Sequence, residues 1–270
     1  MSIQIATVTS EPFAENSYVV WRDGGTAAFV IDPGFEPDLI LDALADRGLT
    51  LAAIVCTHGH VDHIAGNAAL KTAFPAAPIL IGPGDAAMLT DANLNLSAPF
   101  GMPVTSPPAD VLVTEGEPVT AAGIALDVFD APGHSPGHVV YVIRDTDPPT
   151  VLGGDVLFRG SVGRTDFPGG SFELLKHHIR RVLWPLPAGT VVALLLERTD
   201  LPGRRALLGM PAREGNLIRP FLLAGVTRAE TQAWCEARGL AWASDASNDD
   251  PRFARARARS GLVPALEALD

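Results

Sequence analysis

Cysteine is scarce: among 270 residues only Cys56 and Cys235 carry a thiol, too few for a disulfide framework. Cys56 ends an apolar run that starts at Leu51, where a small buried thiol behaves as a hydrophobe. A reducing, cytoplasmic setting is therefore expected. No apolar run reaches the ~20 residues needed to span a bilayer, and no basic stretch followed by an apolar one opens the chain, so a soluble protein without a membrane partner is expected. Positive charge is also short, with 20 Lys+Arg against 31 Asp+Glu and a net charge of -11. The shortage lies in residues 1–192, which carry 9 basic against 21 acidic side chains; residues 193–270 carry 11, all arginine, against 10. An acidic body offers little to a phosphate backbone, so nucleic acid is not expected as its partner.

What remains is ample for a large core, since 47% of the residues are hydrophobic. Short β-rich runs come first, at Ile3 to Val8, Tyr18 to Trp21 and Ala27 to Ile31, the last closed by the turn signal Asp32-Pro33-Gly34. Leu39, Ile40, Ala43 and Leu44 recur at helical spacing before Gly48. A buried strand to Cys56, a helix from Ile64 to Phe74 and a strand at Ile79 to Ile81 follow, an α/β alternation. Further strands are expected at Val111 to Val113, Ile124 to Phe129, Val139 to Ile143, Val151 to Leu152 and Thr190 to Leu196, with a helix from Phe172 to Leu183.

The densest chemistry is Thr57-His58-Gly59-His60-Val61-Asp62-His63. Residues two apart in an extended segment point to the same side, so His58 and His60 can converge on one ion. Asp62 and His63, where the chain turns into helix, can face a neighbouring one. Neutral imidazole with carboxylate suits zinc, iron or manganese. His134 lies in a loop, Pro132 to His138, between two expected strands, and is read as a further ligand; His138, at the start of the next strand, is read as its support. Asp155 follows two glycines, and its two oxygens could each take one ion. His177 and His178 are read as solvated.

The pattern His58-x-His60-x-Asp62-His63, His134 in Pro-Gly-His-Ser-Pro-Gly-His, then Gly-Asp155 resembles the metallo-β-lactamase-fold hydrolases. The run Gly163-Arg164-Thr165-Asp166-Phe167-Pro168-Gly169-Gly170 makes it most similar to their compact glyoxalase II-like (hydroxyacylglutathione hydrolase-like) branch, over residues 1–192. The resemblance implies an α+β, αββα sandwich. It implies one metal on His58, His60 and His134, a second on Asp62 and His63, and Asp155 between them. Hydrolysis of a small-molecule thioester such as S-lactoylglutathione would follow, with Asp62 orienting the attacking water or taking its proton. Arg164 would support a metal ligand from behind, contact a substrate carboxylate or hold a turn.

The pattern is incomplete. Those enzymes carry one more metal histidine just after the strand that here reads Ala193-Leu194-Leu195-Leu196-Glu197, and no histidine follows His178. The second site is thus expected to be weakened, with Glu197 as a candidate replacement. Residues 201–270 instead resemble an internal, mostly helical piece of tRNA(Ile)-lysidine synthetases, in Leu208-Gly209-Met210-Pro211-Ala212-Arg213 and Asp245 to Phe253. That family's SGGxDS ATP-binding loop is absent, so lysidine synthesis is not expected; the abrupt join of residues 193–270 to a C-terminally truncated hydrolase domain reads as a fusion, a rearranged gene or an assembly artefact. Two other readings compete. Persulfide dioxygenases resemble the same sandwich and use a single iron, which would map to His58, His134 and Asp155; a non-catalytic metal-binding fusion is the third.

Overall fold

The computed structural model describes residues 2–11, 13, 15–99, 101–158, 161–187, 190–193, 213–214, 217–218 and 233–239. Two β-sheets pack face to face with helices on their outer sides. The first sheet has the order β1 (Ile3–Ser10), β2 (Glu15–Arg22), β3 (Ala27–Ile31), β4 (Thr50–Val55), β5 (Ile79–Ile81) and β6 (Val111–Leu112). Its first three strands form an antiparallel meander, and β3 to β6 run parallel. The parallel part needs crossovers, which α1 (Pro37–Ala45), α2 (Val61–Ile64) and α3 (Asn67–Ala73) help provide. The second sheet has β7 (Val119–Ala121), β8 (Ile124–Asp130), β9 (Val139–Ile143), β10 (Thr150–Leu152) and, beyond β10 and parallel to it, β13 (Val191–Ala193). A small antiparallel pair, β11 (Leu157–Phe158) and β12 (Ser161–Val162), forms a separate two-stranded sheet.

Strand periodicity sorts the apolar side chains into three layers. Val19, Val30, Ile54 and Ile79 face outward onto Ile40, Leu44, Ile64 and Leu70 of the helices. Their neighbours Val20, Phe29, Val55 and Leu80 face inward onto Ile124, Leu126, Val128 and Tyr141 of the second sheet. Val140, Val142 and Val151 point to the far side, where Leu175, Ile179 and Val182 cover them. Strands buried on both faces lose polar alternation, which is why β4 after Thr50, and β9, read as apolar runs. Leu175 belongs to α4 (Phe172–His178), capped by the Ser171 hydroxyl and continued by a π-turn over Ile179–Leu183. The architecture is the αββα sandwich.

One local expectation needs correction, one strand went unread, and one strand is described only in part. The helix read from Ile64 to Phe74 is two helices, because the Gly66 amide leaves the helical ladder to donate to Pro33 O at 2.9 Å. Strand β7 passed unread, being three residues long and next to a turn. The strand read from Thr190 to Leu196 is described only over Val191–Ala193. Residues 194–200 lie outside the described residues, and with them Glu197. Of the expected helical appendage, the described residues are a strand pair, β14 (Arg213–Glu214) with β15 (Leu217–Ile218), and the short stretch 233–239. Among the described residues no helix is long and apolar enough to cross a membrane.

Candidate metal centre

All the candidate residues of the first 192 positions meet at one end of the sandwich, where β4, β9 and β10 end or begin. Strand β4 stops at Val55, and the loop after it carries His58 and His60 to the start of α2, whose first turn holds Asp62 and His63. His134 sits between β8 and β9, and Asp155 follows β10. His58, His60 and His134 offer nitrogen atoms within 4.8 Å of one another. His60 Nδ1 and His134 Nε2 are 2.9 Å apart. The Asp155 carboxylate faces two imidazoles, with Oδ1 at 3.3 Å from His63 Nε2 and Oδ2 at 3.3 Å from His134 Nε2. Asp62 Oδ2 lies 3.7 Å from His63 Nε2.

The hydrogen-bond network assigns the tautomers. Thr57 Oγ1 donates to Asp32 Oδ2 at 2.7 Å, so its lone pair faces His58 Nδ1 at 3.1 Å, and that nitrogen is the donor. His63 Nδ1 donates to Asp32 Oδ2 at 3.1 Å, and His134 Nδ1 to Arg164 O at 2.8 Å. Each of these three rings therefore turns an Nε2 lone pair inward, the arrangement in which protein oxygens behind a histidine orient it toward a metal. His58 Nε2 and His63 Nε2 are buried and have no hydrogen-bond partner. Buried polar nitrogens without partners are costly, and a cation among them, held by imidazole and carboxylate, removes the cost. The donor set fits a metal.

Electrostatics point the same way for His58 and His60, while His63 is held protonated by its carboxylate neighbours. Burial, reinforced by His134, pushes His60 down to about 3, and burial with His63 holds His58 well below the usual histidine range. Both rings are neutral at pH 7, as ligands must be. Burial opposes the Asp155 charge, but His134 and His63 outweigh it and hold the carboxyl below its ordinary range. Asp62 goes the other way: burial raises it, partly offset by His63. His63 is raised well above its usual value, since Asp62 and Asp155 more than compensate for its burial.

His138 does not face the cluster with a free lone pair. Its Nε2 accepts from the Asp155 amide at 3.1 Å, which fixes the backbone that carries Asp155. Arg164 lends its carbonyl to His134, while its guanidinium pairs with Asp166 at 2.9 and 2.8 Å and lies 3.8 Å over the Phe167 ring. His177 is exposed and His178 half-buried, both on α4 and away from the cluster. A cavity of about 150 Å³ adjoins the centre, lined by His60, Asp62, His134 and Asp155 together with apolar Phe13, Val61, Leu96 and Phe167.

Two residues at the centre escaped the sequence reading. Asp32 was read only as part of a turn, yet it is buried and takes Thr57 N and Oγ1 as well as His63. Its φ of 47° is a left-handed conformation that costs an L-residue roughly 1–3 kcal/mol. Asp32 also forms with His58 and His63 a group whose ligand atoms lie within 4.8 Å of one another, but its carboxylate is already committed to those bonds, which makes it an orienting group. Glu15, buried and with Oε2 unpartnered, is the other. For Asp32 the one local signal was a carboxylate directly after an apolar strand, β3.

A four-layer sandwich with such a centre at the strand ends defines a metallo-hydrolase. The family model of the metallo-beta-lactamase superfamily matches residues 10–193, and this chain belongs to that superfamily. The PP-loop domain model matches residues 190–266. Hydroxyacylglutathione hydrolase GloC of Haemophilus influenzae is 34% identical over 189 residues, 69% of this chain and 86% of GloC. The BLEG-1 B3 metallo-beta-lactamase shares 34% identity with a TM-score of 0.68, over 72% of this chain and 92% of its own. TTHA1623, solved in a di-iron-bound form, shares 34% identity with a TM-score of 0.62 over the same fractions.

Proposed function

We propose that the chain hydrolyses a small thioester of the S-lactoylglutathione type. His58, His60 and His134 would hold one metal, and His63 and Asp62 a second, with Asp155 between. The observation that carries this is the Asp155 carboxylate, whose two oxygens each lie 3.3 Å from an imidazole, His63 Nε2 on one side and His134 Nε2 on the other, while the buried Nε2 atoms of His58 and His63 have no hydrogen-bond partner. When bound, zinc, iron or manganese would acidify a water toward a pKa of about 7 and polarise a carbonyl.

The chain's own residues supply the rest. Asp62 is the catalytic candidate: its side chain is 26% exposed, it lines the cavity, and burial raises its proton affinity, so it can orient a water and take its proton. Phe13, Val61, Leu96 and Phe167 give an acyl group apolar walls. His138 and Arg164 act from behind, on Asp155 and His134. The family's further histidine is missing from the sequence, so the second site is weaker than the first.

Likeness to a hydroxyacylglutathione hydrolase over most of that enzyme's length supports the thioester reading. The test is release of free thiol from S-lactoylglutathione by protein loaded with zinc, iron or manganese. Turnover that disappears in Asp62→Asn supports the proposal. Full metal content with no thioester turnover overturns it, and oxygen-dependent loss of glutathione persulfide would then identify the mono-iron dioxygenase, its absence a non-catalytic centre.

A further inference from the structure

The two loops that carry the first site's histidines come from different sheets, and one buried carboxylate ties them together. Asp85 is fully buried in the turn after β5, at the start of a single 3₁₀ turn, Ala86–Leu89. Its Oδ2 accepts from the amide of Gly59, between His58 and His60, at 3.1 Å. The same oxygen accepts from the Ser135 hydroxyl at 2.5 Å, and Oδ1 accepts from the Gly137 amide at 2.5 Å. Ser135 directly follows His134. Both loops also lie against this turn at backbone distance: a Cβ on Gly59 would come within 2.5 Å of Met88 Cβ, and one on Gly137 within 2.2 Å of the Asp85 amide. The glycines thus allow two loops to press on one short segment, and the carboxylate fixes their separation.

We propose that Asp85 is a positioning residue for the first metal site, setting the distance between the His58–His60 loop and the His134 loop. Its contacts are to the backbone and hydroxyl groups flanking three histidines, and its carboxylate reaches none of their rings by a hydrogen bond. The inference rests on reading these histidines as ligands and is independent of the substrate. Asparagine is nearly isosteric but has one acceptor oxygen. Whichever way it turns, an amide NH₂ meets the N–H of Gly59 or of Gly137, and one loop loses its anchor.

The experiment measures zinc affinity of metal-free protein by competition with a chromophoric chelator, alongside thermal unfolding of the same metal-free samples. Asp85→Asn should weaken the tightest site by about 10- to 100-fold, the range found when groups behind metal ligands are changed. Ser135→Ala, which removes one bond and leaves both amides anchored, should weaken it less, in the same direction. Asp110→Asn is the control, because Asp110 ties Ile79 N and Lys71 far from the loops, both at 2.8 Å. It should lower the unfolding temperature without changing zinc affinity.

Folded Asp85→Asn protein with wild-type affinity overturns the proposal. If Asp85→Asn does not fold, Ser135→Ala decides: weaker binding supports the proposal and unchanged binding overturns it. Absence of tight zinc binding by the wild type would instead sink the metal-centre reading itself.

Discussion

Asp32 and His63 meet at 3.1 Å, Oδ2 to Nδ1, and both side chains are almost wholly buried. The same carboxylate takes the Thr57 amide and hydroxyl at 2.7 Å each. One residue in a left-handed backbone conformation thereby orients His63 directly and His58 through Thr57. Asp32→Ala should weaken metal binding at both sites by roughly 10- to 100-fold. It should also cost about 1–3 kcal/mol of stability, because the Thr57 amide is left buried and unpaired. Zinc titration and denaturant unfolding would measure the two effects separately.

Glu15 makes a pH-dependent prediction. Burial, opposed by His63 and reinforced by Asp32 and Asp62, raises its carboxyl well above the ordinary value of 4.5. A raised folded-state pKa means that this group's contribution is fully present below about pH 4.5 and is lost as pH rises through the folded value. Glu15→Gln removes that loss. Its unfolding temperature should exceed the wild type's at pH 7–8, with the gap closing toward pH 4; a gap independent of pH would contradict the assignment.

Tyr141 links the sheets. Its fully buried hydroxyl donates across the core to Cys56 O at 3.0 Å, the residue just before the metal loop. Tyr141→Phe keeps the ring and removes the bond, so it should cost about 1 kcal/mol in urea unfolding.

The Arg164 side chain is engaged by Asp166 and half-exposed, while its carbonyl serves His134. Arg164→Ala keeps the carbonyl. Metal affinity should hold, and stability should change by no more than the ~0.2–1 kcal/mol of an exposed pair. A large rise in KM without loss of metal would show instead that the guanidinium meets the substrate.

Much of this centre was legible because its chemistry is local in sequence. His58, His60, Asp62 and His63 fall within six positions, and the strand ahead of them reads plainly as apolar. His134 and Asp155 could be placed through their loop settings and the family pattern. Asp32 and Asp85 could not, because their meaning lies in partners 25 to 52 residues away, as in Thr57 for Asp32 and Gly137 for Asp85. A buried carboxylate bonded to backbone amides looks, in sequence, like any turn aspartate. The helix split at Gly66 was hidden likewise, since Pro33 O takes the amide from a distant loop.

The most direct measurement is a zinc titration of metal-free protein, with bound metal counted by inductively coupled plasma mass spectrometry after desalting. One equivalent held through desalting, and a second bound only in excess zinc, is the predicted result: an intact site on His58, His60 and His134 beside a weakened one on Asp62 and His63. Retention of no metal, or of two equally tight equivalents, would contradict it.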